Sequence, residues 1–216
     1  MIDLELIHLR AEFLRRGTPS RAFCQYVKWQ GLEQSMEAIA AHGAMPIITD
    51  VVWHPHMGRD AFSFAPEGPL GAGEPAVVFE VMGEDGETVI DLCAWSIEDP
   101  FRFATALERA DIAGECWLTA GCHPDDVLRV HRTPLAWMKS GCDGVVILRR
   151  DYDASKFGQW WGRIAGEDQR HADELARVLC RPPVQPEMIC FALERQAVRR
   201  VPLELQGIEL QAMGIL

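Results

Sequence analysis

The chain has 216 residues and carries 21 basic and 32 acidic side chains, which gives a formal net charge of −11. Its 48% hydrophobic and 25% charged residues are typical of a globular protein and exclude a disordered or fibrous chain. No apolar run reaches the ~20 residues of a membrane-spanning helix, and the acidic start lacks the basic region of a signal peptide. Seven cysteines, none in a Cys-x-x-Cys pair, indicate reduced thiols, so we expect a cytoplasmic protein without structural disulfides.

The charges are unevenly distributed along the chain. Residues 1–43 carry five basic and five acidic side chains, residues 44–126 carry three and sixteen, and residues 127–216 carry thirteen and eleven. We expect a single domain over 1–216, with a helical N-terminal subregion, an acidic central module and a basic, aromatic C-terminal subregion at these boundaries. An acidic surface attracts cations and can imitate DNA, or it serves only to keep the protein in solution.

Apolar residues at helical spacing predict that the chain begins with two helices. The first helix ends at Gly17, and its stripe consists of Ile2, Leu6, Leu9 and Phe13. Thr18 and Pro19 are typical of the first residues of a second helix, which we extend to Ala41. The two helices together predict an αα-hairpin.

A β-hairpin is predicted over residues 76–95. Two apolar runs flank Asp85 and Gly86, a pair that favours a two-residue type I′ turn. Such a turn places Glu80 directly opposite Asp91 on a half-polar face of the hairpin, while the other face is wholly apolar. Because opposed carboxylates repel each other, a metal ion, a shared proton, an arginine or water is expected to relieve them.

Caps, turns and apolar spacing predict the remaining elements. The further strands cover residues 46–53, 62–64, 127–130 and 145–148. The further helices cover residues 99–110, 134–140, 165–179 and 187–198. We therefore predict an α+β fold with a central mixed or antiparallel sheet that contains the hairpin, flanked by the N-terminal αα-hairpin and by C-terminal helices.

Carboxylates and histidines of the acidic module predict a divalent metal site. Glu80 and Asp91 resemble the acid pair of restriction-type nucleases, although the acid-x-lysine step of that family is missing here. The run His54-Pro55-His56, with Asp60 after it, resembles the metal motif of amidohydrolase-type barrels, which implies that both imidazoles bind one ion. The alternative is an exposed acid pair beside two loop histidines.

A second motif has a family resemblance of its own. The run Cys122-His123-Pro124-Asp125-Asp126 resembles the His-Pro-Asp-Asp core of zinc-dependent sugar N-deacetylases, although Val127 stands where that family usually has another acid. The alternative is the start of a turn or helix, because acids in a first turn interact favourably with the helix dipole.

Basic and aromatic residues interleave between residues 149 and 163, a pattern typical of proteins that hold single-stranded nucleic acid. The candidate contacts are Arg149, Arg150, Tyr152, Lys156, Trp160, Trp161 and Arg163. The alternative is internal: the tryptophans pack on the core while the cations pair with the acidic module.

No nucleophile elbow, P-loop or dinucleotide motif occurs in the chain. We therefore expect a non-catalytic accessory or interaction protein, with a protein or a single-stranded nucleic acid as its partner. One alternative is a hydrolase of phosphoesters or amides that uses a divalent metal held by Glu80, Asp91, His54 and His56. Another is an acidic inhibitor that imitates DNA. The sequence does not determine the oligomeric state.

Overall fold

The computed structural model describes residues 3–17, 21–56, 59–67, 73–119, 123, 125–149, 151–160, 162–179, 189–193 and 197–200, with the backbone alone for residues 56, 59, 60 and the last two segments. The helices are α1 Leu4–Arg16, α2 Arg21–Gln30, α3 Met36–Ala41, α4 Cys116–Thr119, α5 Pro134–Lys139 and α6 Gln169–Leu179. The strands are β1 Ile47–His56, β2 Arg59–Phe64, β3 Glu74–Met82, β4 Val89–Ser96, β5 Phe103–Thr105, β6 Ile112–Ala113, β7 Val127–His131, β8 Val145–Ile147, β9 Arg163–Gly166, β10 Ile189–Leu193 and β11 Ala197–Arg200. The predicted α+β class is confirmed.

Five strands close into a small barrel in the order β1-β2-β5-β4-β3, with β3 paired back to β1. Neighbouring strands are antiparallel except β2 and β5, which are parallel. All five strands contribute to the buried cluster that fills the barrel, which consists of Val51, Phe62, Ala76, Val78, Leu92, Ala94 and Ala104. Leu9 and Phe13 of α1 pack against this cluster. Closure leaves no free sheet edge in this layer.

The second sheet has six strands in the order β11-β10-β9-β7-β8-β6. Strands β10, β9, β7 and β8 are parallel, and β6 and β11 are antiparallel at the two edges. Helix α5 joins β7 to β8, and α6 joins β9 to β10. The two helices lie on opposite faces of the sheet, because Trp137 and Met138 of α5 belong to a different buried cluster from Leu175 and Leu179 of α6.

A shared buried cluster joins the barrel to the second sheet through the hairpin. The Phe79 ring lies 5.8 Å from the Trp95 ring and 5.9 Å from the Trp137 ring of α5, measured between centroids. Trp95 donates a hydrogen bond from Nε1 to the Tyr26 hydroxyl of α2 over 3.0 Å. The prediction of a half-polar hairpin face is therefore wrong, since one face lines the barrel interior and the other lies in this cluster.

The hairpin register differs by one residue from the prediction. Val81 faces Asp91 and Met82 faces Val89, so Ile90 is the extra residue of a β-bulge. The Asp85 carboxylate accepts backbone hydrogen bonds from residues 87 and 88, and among the turn residues only Gly86 has a positive φ. A type I′ turn needs positive φ at two positions, so the chain forms a wider loop over 83–88 instead.

Other predicted elements are also corrected. Residues 99–102 form a turn in which Asp99 Oδ1 accepts from the Phe101 N–H, and the chain then forms β5 beside β4. A helix there would leave the outer edge of β4 without a backbone partner. The predicted last helix is replaced by β10 and β11, because β10 pairs with the open side of β9. The second N-terminal helix ends at Gln30 and resumes as α3, and its predicted start at Thr18 and Pro19 lies outside the described residues.

Local signals identify the middle of the chain correctly. Thr133 caps α5, with its hydroxyl accepting from the Ala136 N–H over 3.1 Å, and Pro134 is the first helical residue as predicted. The strand predicted over 127–130 is β7, and the strand predicted over 145–148 is β8. In the described part of the chain, every helix is too short or too polar to cross a membrane.

Candidate functional site

The predicted pairing of Glu80 with Asp91 is wrong, because Glu80 faces Leu92 and Asp91 faces Val81. Adjacent residues of a strand point to opposite faces, so the one-residue shift puts the two carboxylates on different sides of the hairpin. Glu80 forms an ion pair with Arg10 of α1, with 2.7 Å between Nε and Oε1. An arginine from outside the acidic module therefore neutralises one of the two acids.

Asp91 is fully buried, and its carboxylate orders the chain segment that follows β5. Its Oδ1 accepts from the N–H groups of Leu92 (2.8 Å) and Leu107 (2.9 Å). Its Oδ2 accepts from the N–H groups of Arg109 (2.8 Å) and Ala110 (3.2 Å). Burial raises the pKa of the Asp91 carboxyl, and these four donors oppose the rise. With its oxygens occupied in this way, Asp91 acts as an internal cap for residues 107–110.

The predicted histidine pair lies at the end of β1, beside β2. His54 is exposed, and its Nε2 lies 2.8 Å from the Ser63 hydroxyl. In the strand register His56 faces Arg59, and Pro55 faces Asp60. The side chains of His56 and Asp60 lie outside the described residues. Among the side chains that are described, no three His, Cys, Asp or Glu residues converge as a metal site.

The cations of the predicted nucleic-acid segment contact the protein itself. Arg149 forms an ion pair with Asp151 over 2.9 Å and donates to the backbone carbonyl of Glu108. Lys156 lies 2.7 Å from the carboxylate of Glu115. Burial lowers the pKa of Lys156, but this ion pair outweighs burial and the pKa is raised. These contacts match the internal alternative that the sequence left open.

The aromatic residues of the same segment are packed inward where they are described. Trp160 is buried and donates from Nε1 to the Arg163 carbonyl over 3.1 Å. The Tyr152 ring packs edge-on against Phe157. Arg163 donates to a backbone carbonyl of the loop before β7 over 3.1 Å. Arg150 and Trp161 lie outside the described residues.

The acids of the central module are distributed over several environments. Asp91 and Glu115 are buried, whereas Glu84 and Glu87 are exposed in the hairpin loop. Glu74 forms an ion pair with an arginine of the β4–β5 turn over 2.6 Å. Asp91 and Glu115 are therefore withdrawn from any exposed acidic surface of the kind that DNA mimicry needs, and Glu74 is paired with an arginine.

The His-Pro-Asp-Asp run forms a capped turn before β7 in its described residues. The His123 N–H donates to Asp126 Oδ2 over 2.7 Å, and the Asp125 N–H lies 3.4 Å from His123 Nδ1. Both His123 and Asp125 are exposed. This geometry fits the turn alternative, because the carboxylate of Asp126 is already occupied by backbone.

A cluster of ionisable residues that the sequence reasoning missed lies at the carboxyl ends of β7 and β9. The chain leaves β7 towards β8 and leaves β9 towards β10, so a topological switch point lies between the two strands, where open sheets bind ligands. His131, Arg132, Glu167 and His171 meet there. Burial raises the pKa of Glu167, but the nearby His131 ring and the Arg132 N–H, which donates to Oε1 over 3.1 Å, together hold this pKa below its usual range. The sequence did contain a signal for this cluster: His131 and Arg132 stand at the end of β7, and Glu167 and Asp168 directly follow β9.

Within this cluster, Ser140, His131 and Glu167 are arranged like a catalytic triad. His131 Nε2 lies 3.2 Å from the Ser140 hydroxyl, and Nδ1 lies 3.6 Å from Glu167 Oε1. However, Nε2 also lies 2.8 Å from the backbone carbonyl of Asp143, which can only accept, so Nε2 carries a proton. The Ser140 hydroxyl donates to the Trp137 carbonyl over 2.6 Å. The imidazole nitrogen that faces the serine cannot take its proton, and the arrangement ties β7 to α5 and β8.

Helix α1 carries a second apolar stripe, on the side away from the barrel. Leu4, Ile7, Ala11 and Leu14 are exposed, and the three large side chains are 65%, 50% and 65% accessible. Their 3-4-3 spacing is that of the a and d positions of a heptad. We call these four residues the α1 face. It forms an exposed apolar line along the length of α1 that a partner helix could contact.

A groove continues the α1 face at its C-terminal end. The cavity has a volume of about 210 Å³ and is bounded by α1, α2 and the start of β1, through Phe13, Leu14, Gly17, Phe23, Met45, Pro46, Ile47 and Ile48. Met45 is 43% exposed at its rim. Because Leu14 belongs to both features, the stripe and the groove form one continuous apolar surface.

Ion pairs hold the charged side chains beside the α1 face. Arg109 binds Asp3 and also Glu5, the latter over 3.0 Å. Further along the helix, Arg15 and Arg16 bind Glu12 over 2.7 and 2.6 Å. The charges around the α1 face are therefore largely compensated, unlike those of the chain as a whole.

Comparisons with protein-family models, with curated proteins and with solved structures give no match for this chain.

Proposed function

We propose that this protein acts by binding another protein chain through the α1 face, and that it has no catalytic role. The observation that carries the proposal is the 3-4-3 line of exposed apolar residues on α1. Single exposed apolar side chains are common on protein surfaces. A line of them at heptad spacing that leads into an apolar groove is typical of helix-in-groove and helix-to-helix recognition.

The construction of α1 supports this proposal. The helix uses one stripe, Leu9 and Phe13, to cover the barrel, so the fold itself does not need the second stripe. Three large apolar side chains in water have an energetic cost that burial against a partner would recover. The ion pairs on both sides restrain the helix surface before binding, which lowers the ordering entropy that a partner must overcome.

The other functions remain proposals with less support. Binding of single-stranded nucleic acid by residues 149–163 requires Arg149 and Lys156 to leave the ion pairs that hold them. Metal-dependent hydrolysis requires a site built without the predicted Glu80–Asp91 pair, around His54 and His56. Of their described side chains, Arg149 and Lys156 are paired with acids, and His54 contacts the Ser63 hydroxyl.

A photoreactive amino acid tests the proposed function. Placed at Ile7, it should form crosslinks to a protein chain, and Leu14→Glu in the same chain should abolish them. Val178 on α6 is 48% exposed, close to the 50% of Ile7, so the same probe at Val178 is the matched control and should give no specific crosslink. The proposal is refuted when the probe at Ile7 reacts only with water or within its own chain, both in the purified protein and in the cells that express it.

A further inference from the structure

We propose that the α1 face binds a second copy of this chain, in an antiparallel contact between the two α1 helices. This inference rests on the proposed protein-binding function and specifies its partner. It follows from the symmetry of the stripe, from the shape of the surface beyond it and from the charges around it.

The four residues of the α1 face are placed symmetrically along the helix. Leu4 and Leu14 are equidistant from residue 9, and so are Ile7 and Ala11. When two copies cross antiparallel at this point, Leu4 meets Leu14 of the second copy and Ile7 meets Ala11 of the second copy. Each a position then faces a d position, and both contacts occur twice, once on each side of a two-fold axis, as in an isologous dimer.

The surface has the relief that this pairing needs. The small Ala11 side chain lets Ile7 of the second copy approach closely at the centre. At the two ends of the contact, Leu4 of one copy lies next to the groove of the other copy, which begins at Leu14. A cavity of 150 Å³ holds a benzene molecule, so the groove of about 210 Å³ has room for one leucine side chain. Each copy thus offers both the leucine and the groove that accepts it.

The charges around the α1 face permit two identical surfaces to meet. A net charge of −11 makes two copies repel each other over most of their surface. Beside the α1 face, however, Arg10 is paired with Glu80, and Arg15 is paired with both Glu12 and Glu67. An apolar line thus coincides with compensated charge here, which lowers the electrostatic cost of bringing two copies together.

The size of the contact predicts a reversible dimer. A helix of 13 residues is about 20 Å long and about 10 Å wide, so α1 alone supplies only part of the ~800 Å² per partner of a standard interface. The groove adds to this area. We therefore expect a dissociation constant in the micromolar range or weaker, with monomers and dimers exchanging rapidly.

Sedimentation equilibrium of the purified full chain, from micromolar to near-millimolar concentration, tests the inference. The average mass should rise from one chain towards two, and Leu14→Glu should raise the dissociation constant at least tenfold. Val178→Glu introduces the same charge at an exposed apolar position of α6 and should leave the dissociation constant unchanged. Thermal unfolding of each variant shows whether the fold is intact.

Crosslinking through introduced thiols tests the antiparallel orientation. Chains with Leu4→Cys and chains with Leu14→Cys, both carrying Cys24→Ser to remove an exposed thiol, should form disulfide-linked dimers when mixed with oxidised glutathione, which is reduced as the disulfide forms. Neither variant should do so alone, because each introduced thiol would meet a leucine. Crosslinking of Leu4→Cys with itself would indicate a parallel contact and overturn the inference.

The remaining outcomes separate this inference from the proposed function. A dimer that Leu14→Glu does not weaken lies elsewhere on the surface and overturns the inference. A chain that stays monomeric while its α1 face reacts with hydroxyl radicals also overturns it, but leaves the proposed function with a different protein partner. If the chain is monomeric and its α1 face is protected from the radicals, residues of the same chain cover the face. That result refutes both the dimer and the proposed protein-binding function.

Discussion

Replacement of Asp91 tests whether this acid has a structural role. In Asp91→Asn one carboxylate oxygen becomes an amide nitrogen, so two of the four backbone N–H groups lose their acceptor and face another donor. A hydrogen bond to a charged group contributes about 1.5–3 kcal/mol, so two lost bonds predict a destabilisation of at least about 3 kcal/mol. Asp91→Ala removes all four bonds, and the expected loss is larger.

Urea unfolding followed by circular dichroism measures these losses in free energy. A typical domain is stable by only about 5–15 kcal/mol, so Asp91→Ala should be close to the limit of folding. Glu84→Gln neutralises an exposed acid of the hairpin loop and should change stability by less than about 0.5 kcal/mol. An Asp91→Asn protein within about 1 kcal/mol of the wild type would show that the four N–H groups do not depend on this carboxylate, and the structural interpretation would fail.

Two further predictions concern the second sheet. Burial lowers the pKa of His171, so the folded protein binds this proton more weakly than the unfolded chain does. Its contribution to stability is present above the unfolded pKa of about 6.5 and is lost as the pH falls through the folded value. The free energy of unfolding in urea should therefore decrease between pH 7 and pH 5, and His171→Gln should remove this decrease. Gly144 has a φ of +84°, and a Cβ there would lie 2.2 Å from the Arg129 carbonyl oxygen. Gly144→Ala should therefore lower the melting temperature much more than Gly31→Ala, where φ is +71° but the space is open, and equal losses would show that backbone strain alone decides the cost.

The elements that the sequence predicted correctly depend on local interactions. The start of α5 follows from the Thr133 side chain and the ring of Pro134, and neither needs a distant residue. The hairpin strands follow from two apolar runs around a glycine. Caps, turns and short apolar runs act within a few residues, so their effect can be read from the chain itself.

The register of the hairpin did not follow from the backbone preference of the Asp85-Gly86 pair. The Asp85 side chain accepts a hydrogen bond from the loop backbone, the loop is wider than a two-residue turn, and Ile90 is the extra residue of a bulge. A shift of one residue moves every following side chain to the other face. The same two strands therefore placed Asp91 in the core, and a candidate metal ligand became a buried cap. Strand β5 likewise lies where a helix was predicted, because its backbone provides the hydrogen-bond partners for the outer edge of β4.

The sequence by itself determined that α1 is a helix, and its spacing predicted the stripe, with Leu9 and Phe13, that packs against the barrel cluster. It did not determine what happens on the other side of the helix, where Leu4, Ile7 and Leu14 are apolar as well. The tertiary structure decided this, because the barrel cluster contacts α1 through Leu9 and Phe13, and Leu4, Ile7 and Leu14 are left exposed. The other stripe is exposed, since burial depends on what the chain packs against and not on hydrophobicity alone.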